Sequence, residues 1–176
     1  MKSIAVVFAF FCAFLILPQL SKAQHALSFD IAAVSNLHDK TNGLNLSAFY
    51  HFNEHWEAGT ELNRFFPITK TIDGDEVQQS AWDFDYNIHY LIPVGRKWEL
   101  YPLTGFSHTS EQEYKAKLNE TSTENFWSFN TGAGIIYKLG KWSPHIEYSC
   151  TWGEVNKQFL IAGFSYELEL SKHKKE

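Results

Sequence analysis

The chain has 176 residues, with 15 lysines and arginines against 20 aspartates and glutamates, and a net charge of −5. This acidic balance argues against nucleic acid as a partner. The length suits a single domain with its own core.

The N-terminus has the features of a secretory signal peptide. Lys2 precedes an apolar run from Ile4 to Leu17, and Ser21-Lys22-Ala23 forms a small-x-small cleavage site. We therefore predict a signal peptide at residues 1–23 and export of the remaining chain. Cys12 leaves with this segment, so no intramolecular disulfide is expected in the exported protein. No later stretch reaches the length of a transmembrane helix.

The exported chain contains eight segments in which apolar and polar residues alternate, the pattern of β-strands with two different faces. Most have about 9–13 residues, which is longer than ordinary globular strands and close to the 9–11 residues of a membrane strand. The segments are 26–35, 43–53, 56–65, 80–91, 97–109, 126–138, 141–152 and 157–170. Tight turns alternate along the chain with longer connections, of which 67–79 and 110–125 are the longest. This order is typical of an up-and-down outer-membrane barrel with periplasmic turns and external loops.

The six tryptophans sort into two predicted rings, one at each rim of the sheet. One ring follows tight turns and contains Trp56, Trp98 and Trp142; the other lies at the opposite strand ends and contains Trp82, Trp127 and Trp152. Tryptophan prefers a membrane interface because its apolar ring and its polar N–H are both satisfied there. The alternative is a set of core aromatics in a soluble barrel, which need not cluster at both strand ends.

The polar face of the strands predicts a confined, wet interior. Among the basic residues of the exported chain, only Arg64 falls clearly within a strand, whereas water-facing strands normally carry lysines. Gly59, Gly132 and Gly134 share the polar face, as expected where space is short. The candidate lumen network consists of Asp30, Glu57, Glu61, Arg64, Asp83, Asp85, His89, His145 and Glu147. The apolar face is then expected to contact lipid.

Two phrases carry a resemblance to a known family: Lys97–Gly105, which reads KWELYPLTG, and Ala162–Leu168, which reads AGFSYEL. With the strand pattern, they make the chain resemble the small eight-stranded outer-membrane β-barrel family, which includes outer membrane protein X and the membrane domain of outer membrane protein A. The resemblance implies an all-β fold, an eight-stranded antiparallel up-and-down transmembrane β-barrel over residues 24–170, in the outer membrane. A polar periplasmic tail would follow at 171–176.

The same resemblance implies outer-membrane lipid, lipopolysaccharide and the barrel-assembly machinery as partners. Family members often end on an aromatic residue that the assembly machinery reads, whereas this chain ends on a polar tail. The assembly signal is therefore expected inside the last strand, at Phe164 or Tyr166.

The acidic lumen raises the hypothesis of a cation site. We favour a hydrogen-bonded plug in which some carboxylates are protonated or paired with Arg64, His51, His89 and His145. No cofactor and no metal are predicted. Because an eight-stranded barrel is only wide enough for its own side chains, an open diffusion pore is not expected.

The predicted function is non-enzymatic: an envelope-structural or surface-binding barrel that contacts an extracellular ligand through loops 67–79 and 110–125. One alternative is a hydrolase using His108 and Ser110, with Glu111 or Glu113 to orient the histidine. This pair resembles the His-x-Ser arrangement of lipid A 3-O-deacylase barrels, although the Asn-Ala-Gly that follows in that family is replaced here by Glu-Gln-Glu. A second alternative is a soluble lipocalin-like carrier.

Overall fold

The computed structural model describes residues 26–72 and 75–170, so the predicted signal peptide (1–23) and polar tail (171–176) lie outside the described residues. Within those two ranges, no helix is long and apolar enough to cross a membrane. The described chain forms ten strands: β1 (Ala26–Asn36), β2 (Thr41–His51), β3 (Trp56–Phe65), β4 (Ile68–Ile72), β5 (Asp75–Tyr90), β6 (Ile92–Val94), β7 (Trp98–Lys115), β8 (Glu120–Tyr137), β9 (Trp142–Gly153) and β10 (Lys157–Glu169).

Eight of these strands close into an antiparallel barrel. The order around the barrel is β1, β2, β3, β5, β7, β8, β9 and β10, and β10 returns to pair with β1. The short β4 pairs with the start of β5, and β6 pairs with the start of β7. The predicted all-β, eight-stranded up-and-down barrel is confirmed. Closure pairs the backbone groups of every strand, which a membrane interior requires because it offers no hydrogen bonds.

The two faces of the barrel wall have opposite polarity. In β5, Asp85, Asn87 and His89 are buried inside, whereas Tyr86 and Ile88 on the outer face are 49% and 47% exposed. The other long strands repeat this alternation, so large apolar side chains cover the outside. A lipocalin-like carrier has the reverse arrangement, with its apolar face inside. The second alternative, a soluble lipocalin-like carrier, does not fit this arrangement.

The segments predicted as loops, 67–79 and 110–125, are mostly strand. β4 and the start of β5 occupy the first segment, and β7 and β8 are separated only by a turn at 116–119. Their ladder runs without a break from Trp98↔Tyr137 to Lys115↔Glu120. The sequence pattern missed these extensions because both of their faces are polar, and alternation disappears where both faces meet the same solvent.

The tryptophans lie on the outer face, and they mark the two ends of the barrel. At one end, here called the turn end, Trp56 packs on Tyr90, with 4.8 Å between ring centroids, and the rings of Trp98 and Tyr137 are 4.6 Å apart. This end carries the short connections β2–β3, β6–β7 and β8–β9. The opposite end, here called the loop end, carries Trp82, Trp127 and Trp152. The role of these residues as membrane-interface anchors stays a prediction.

An apolar plug fills the lumen at the loop end. It consists of the buried side chains of Ala32, Val34, Phe65, Phe159 and Ile161. The rings of Phe65 and Phe159 stack with 5.9 Å between centroids. We expect these packed side chains to block a continuous water path through the loop end of the lumen.

We expect the folded protein to carry no steady ionic current across a planar bilayer, because this plug blocks the lumen. Single-channel recording measures this directly. A double variant, Phe65→Ala with Phe159→Ala, is the comparison: removal of both rings is expected to raise the frequency of current steps above that of the wild type. A stable open channel in the wild-type protein would contradict the plug.

Candidate functional site

The middle of the lumen is a hydrogen-bonded network of amides and carboxylates from β2, β3 and β5. The Asn45 side-chain amide donates to Asn63 Oδ1 (2.8 Å) and to Glu61 Oε2 (3.2 Å). Asn63 in turn donates to Asp85 Oδ2 (2.9 Å), and Asn87 donates to Glu61 Oε1 (2.7 Å). All five side chains are buried. Strand alternation places them inside, and their bonds join neighbouring strands across the ladder.

Nearer the turn end, a glutamate holds two histidines. Glu57 Oε1 lies 2.9 Å from His89 Nδ1, and Glu57 Oε2 lies 3.1 Å from His51 Nε2. Across the lumen, the Tyr101 hydroxyl donates to Glu147 Oε2 at 3.0 Å. The Tyr101 ring stacks on the His89 ring with 4.8 Å between centroids. These five residues form one continuous cluster from five strands.

The structure places eight of the nine residues of the predicted lumen network inside the barrel. These eight are Asp30, Glu57, Glu61, Asp83, Asp85, His89, His145 and Glu147. Arg64 was predicted among them, and this is wrong: it is exposed on the outer face, in register with Leu44 and Trp82. Because Glu61 and Asn63 occupy inward positions of β3, strand alternation turns Arg64 outward.

Two functional-looking residues were missed in the sequence. Tyr101 was grouped with no face, although it shares parity with the inward residues of β7. Lys157 was assigned to a strand end, but it is 4% exposed and its ammonium group contacts Glu111, lies 3.6 Å from Asp39 and sits 5.4 Å from the Phe126 ring centroid. Such a buried lysine has no signature in the sequence, since its partners lie far from it along the chain.

His108 and Ser110 lie on one side of β7, as their spacing predicts, but they are not arranged as a catalytic pair. The His108 ring packs between Trp82 and Trp127, with centroid distances of 5.5 and 4.9 Å. In the described part of the chain, no side-chain hydrogen bond joins His108 to Ser110. The candidate orienting carboxylates bond elsewhere: Glu111 contacts Lys157, and Glu113 accepts from Gln79 at 2.6 Å.

One group inside the barrel has the composition of a metal site. Glu61, His89 and Glu147 each present a ligand atom, and these atoms lie within 4.8 Å of one another. They come from β3, β5 and β9. The sequence predicted no metal, because residues on three separated strands show no ligand spacing.

The family follows from the match of its sequence model. The model described as "Outer membrane protein beta-barrel domain" matches residues 13–167. The chain belongs to this family. The match confirms the predicted family and the predicted location of this outer-membrane barrel. No curated protein sequence matches it.

Several solved structures have folds similar to that of this outer-membrane barrel. The N-terminal β-barrel domain of Pseudomonas aeruginosa OprF is similar with a TM-score of 0.65 and 12% identity, over 84% of this chain and 100% of that one. OprG from Pseudomonas aeruginosa has a TM-score of 0.62 and 15% identity, over 85% and 98%. Ail, the attachment invasion locus protein of Yersinia pestis, has a TM-score of 0.56 and 15% identity, over 82% and 96%. At these identities the likeness shows the fold alone.

Proposed function

We propose that the protein is a non-enzymatic outer-membrane anchor that presents a rigid β-sheet outside the cell for binding. The sheet, here called the loop-end sheet, consists of β4, residues 75–81 of β5, residues 110–115 of β7 and residues 120–127 of β8. The observation that carries the proposal is the continuation of three barrel strands beyond the loop-end tryptophans. In this proposal the turns face the periplasm and the loop-end sheet faces outward, as in barrels of this class.

The loop-end sheet is long and cross-linked. β5 begins seven residues before Trp82, and β8 begins seven residues before Trp127, which at about 3.3 Å per residue extends the sheet roughly 20 Å along the strands. Val77 is fully buried within it, at 1% exposure. Lys117 bonds Asp75 at 2.8 Å across the tip. A barrel that served only to stabilise the envelope would not need this extension.

The sheet offers two free edges to a partner. β8 pairs with β9 only from Ser128 onward, so its residues 120–127 pair with β7 alone. β4 pairs with β5 alone among the described strands. Unpaired strand edges accept an added strand, in which backbone hydrogen bonds provide the affinity. An extended polypeptide segment is therefore the partner that the edges favour.

The net negative charge of the loop-end sheet indicates which peptides it would bind. Segments 67–79 and 110–125 together carry three lysines against seven aspartates and glutamates. Like charge opposes binding, so a neutral or basic peptide fits this surface better than a polyanion. Ail from Yersinia pestis has been solved in complex with the heparin analogue sucrose octasulfate. The acidic loop-end sheet of the present chain favours the opposite preference.

Lipopolysaccharide and the barrel-assembly machinery are two further proposed partners. Arg64 is an exposed cation on the outer face beside the loop-end tryptophans, where it would meet the phosphate groups of lipopolysaccharide. The barrel-assembly machinery would read Phe164 or Tyr166 in β10.

Shortening the β7–β8 hairpin tests the proposed function. Replacement of residues 111–124 by an Asn-Gly turn removes the β8 edge and the part of β7 on which the β4–β5 hairpin pairs, so it is expected to lower peptide binding strongly. The barrel is expected to fold still, because the deleted part lies beyond the tryptophan ring. The probe is an array of extended ten-residue peptides of graded charge, incubated with the folded protein. The wild-type protein is expected to retain basic and neutral peptides over acidic ones.

The matched control replaces only the turn 116–119 by Asn-Gly, which keeps both strand edges and is expected to keep binding. Folding of each variant is verified by its mobility shift on boiling in a heat-modifiability gel. Equal peptide retention by the protein lacking 111–124 would contradict the proposal, and so would a preference for acidic peptides.

A further inference from the structure

We propose that Glu61, His89 and Glu147 bind one divalent transition-metal ion inside the barrel. Their ligand atoms lie within 4.8 Å of one another, and the three side chains are 3–4% exposed. A ligand set of one imidazole and two carboxylates, drawn from three strands, surrounds a single point in the lumen. Nothing in the binding function proposed for the loop-end sheet requires this site.

His89 is oriented as a metal ligand. Its Nδ1 lies 2.9 Å from Glu57 Oε1, whereas its Nε2 is inaccessible to solvent and has no hydrogen-bond partner among the described residues. A buried polar atom without a partner destabilises the fold, so its position needs a reason. A histidine that donates one ring N–H to a carboxylate and offers the other nitrogen to an ion is the usual arrangement in metal sites.

Packing fixes the imidazole in this orientation. The Tyr101 ring stacks on it at an interplanar angle of 23°, and the Phe49 ring lies 4.4 Å away between centroids. The aromatic contacts fix the orientation of the ring plane, and the contact with Glu57 fixes the rotation of the ring within that plane. His89 therefore cannot turn its Nε2 toward another partner without breaking both contacts.

The two carboxylates are held by neutral donors and keep acceptor capacity for an ion. Glu61 accepts from the amides of Asn45 and Asn87, and Glu147 accepts from the Tyr101 hydroxyl. A carboxylate accepts about four hydrogen bonds, so these contacts leave lone pairs unused. Neutral donors also bring no positive charge to the pair.

Among the described residues, one lysine lines this cavity, and it forms its ion pairs elsewhere. Lys138 Nζ lies 3.1 Å from Glu99 and 3.6 Å from Glu167, both toward the turn end. Buried charge is tolerated when an opposite charge or a metal accompanies it. A dication between Glu61 and Glu147 would supply that compensation.

The size of the cavity and the types of donor atom limit which metal ions could bind. The cavity of about 30 Å³ has room for a bound ion and a water molecule, and its lining extends to Lys138 and Glu167 near the turn end. Tetrahedral zinc holds nitrogen and oxygen ligands at about 2.0–2.2 Å, which spaces them about 3.4 Å apart. Side-chain movements of roughly 1 Å would close the set. An imidazole ligand favours zinc and its neighbours over magnesium or calcium.

Zinc titration of the refolded full-length protein, followed by calorimetry, tests the site. We expect one high-affinity zinc ion per barrel, and a loss of about tenfold or more in affinity in His89→Gln and in Glu147→Gln. Matched controls are His108→Gln on the outer face and Glu113→Gln in the loop-end sheet, which are expected to bind as the wild type does. Heat-modifiability gels verify that each variant is folded.

X-ray absorption at the zinc edge of the wild-type protein provides a readout that needs no variant. The expected first shell contains one imidazole nitrogen with oxygen ligands. The proposal is overturned if binding is not saturable, if His89→Gln binds zinc like the wild type, or if the shell contains no imidazole or several.

Discussion

Replacement of Leu46 by arginine is expected to destabilise the folded barrel by about 2–4 kcal/mol in a lipid bilayer. Leu46 is 54% exposed on the outer face and pairs in register with Ile31 and Leu62, between the two rings of tryptophan. An arginine there would place its guanidinium in hydrocarbon, where no water solvates it. The measurement is urea unfolding of the protein in liposomes, followed by tryptophan fluorescence.

Leu118 offers a matched control because it has nearly the same exposure in a different solvent. It is 58% exposed in the turn between β7 and β8, beyond the loop-end tryptophans. Leu118→Arg is expected to change the free energy of unfolding by less than about 0.5 kcal/mol, as surface substitutions do. Equal effects of the two substitutions would mean that Leu46 does not contact lipid.

Replacement of Gly134 by valine is expected to destabilise the barrel by about 3 kcal/mol. Gly134 faces the lumen, and a Cβ at this position would overlap the ring of Tyr101. The ring cannot withdraw freely, because its hydroxyl bonds Glu147 and its face stacks on His89. Strand propensity predicts the opposite sign, since valine exceeds glycine in strands.

The neighbouring residue separates steric conflict from strand propensity. Ala133 is adjacent in β8 and exposed on the outer face, so Ala133→Val adds methyl groups toward lipid instead of the lumen. It is expected to be neutral or slightly stabilising in the same unfolding experiment. If Gly134→Val proved as stable as Ala133→Val, the close contact between Gly134 and Tyr101 would be wrong.

Alternation in the sequence predicted the barrel because the barrel wall separates two solvents. Each strand between the tryptophan rings has lipid on one side and a polar interior on the other, and its residues record that difference. Beyond Trp82 and Trp127 the residues of both faces are mostly polar, so residues 75–79 and 120–125 lose the pattern although the ladder continues. Periodicity therefore reports the span of the membrane, and the strand ends lie outside it.

Residue type misled the prediction where residue parity was informative. Arg64 was assigned to the lumen because its charge suits the acidic interior, yet its even position in β3 turns it outward. The convergence of Glu61, His89 and Glu147 could not be read from the chain at all. It depends on the stagger of strands around a closed barrel, which no local pattern encodes.

The apolar plug leaves the lumen closed at the loop end. Phe65 and Phe159 occupy the loop end, whereas the lining of the cavity that contains Glu61, His89 and Glu147 extends to Lys138 and Glu167 near the turn end. A solute in the lumen is therefore expected to exchange with the compartment at the turn end only. In the proposed orientation that compartment is the periplasm. The two ends of the molecule then sample different solutions: the outer sheet responds to the surroundings of the cell, and the interior equilibrates with the ions inside its envelope.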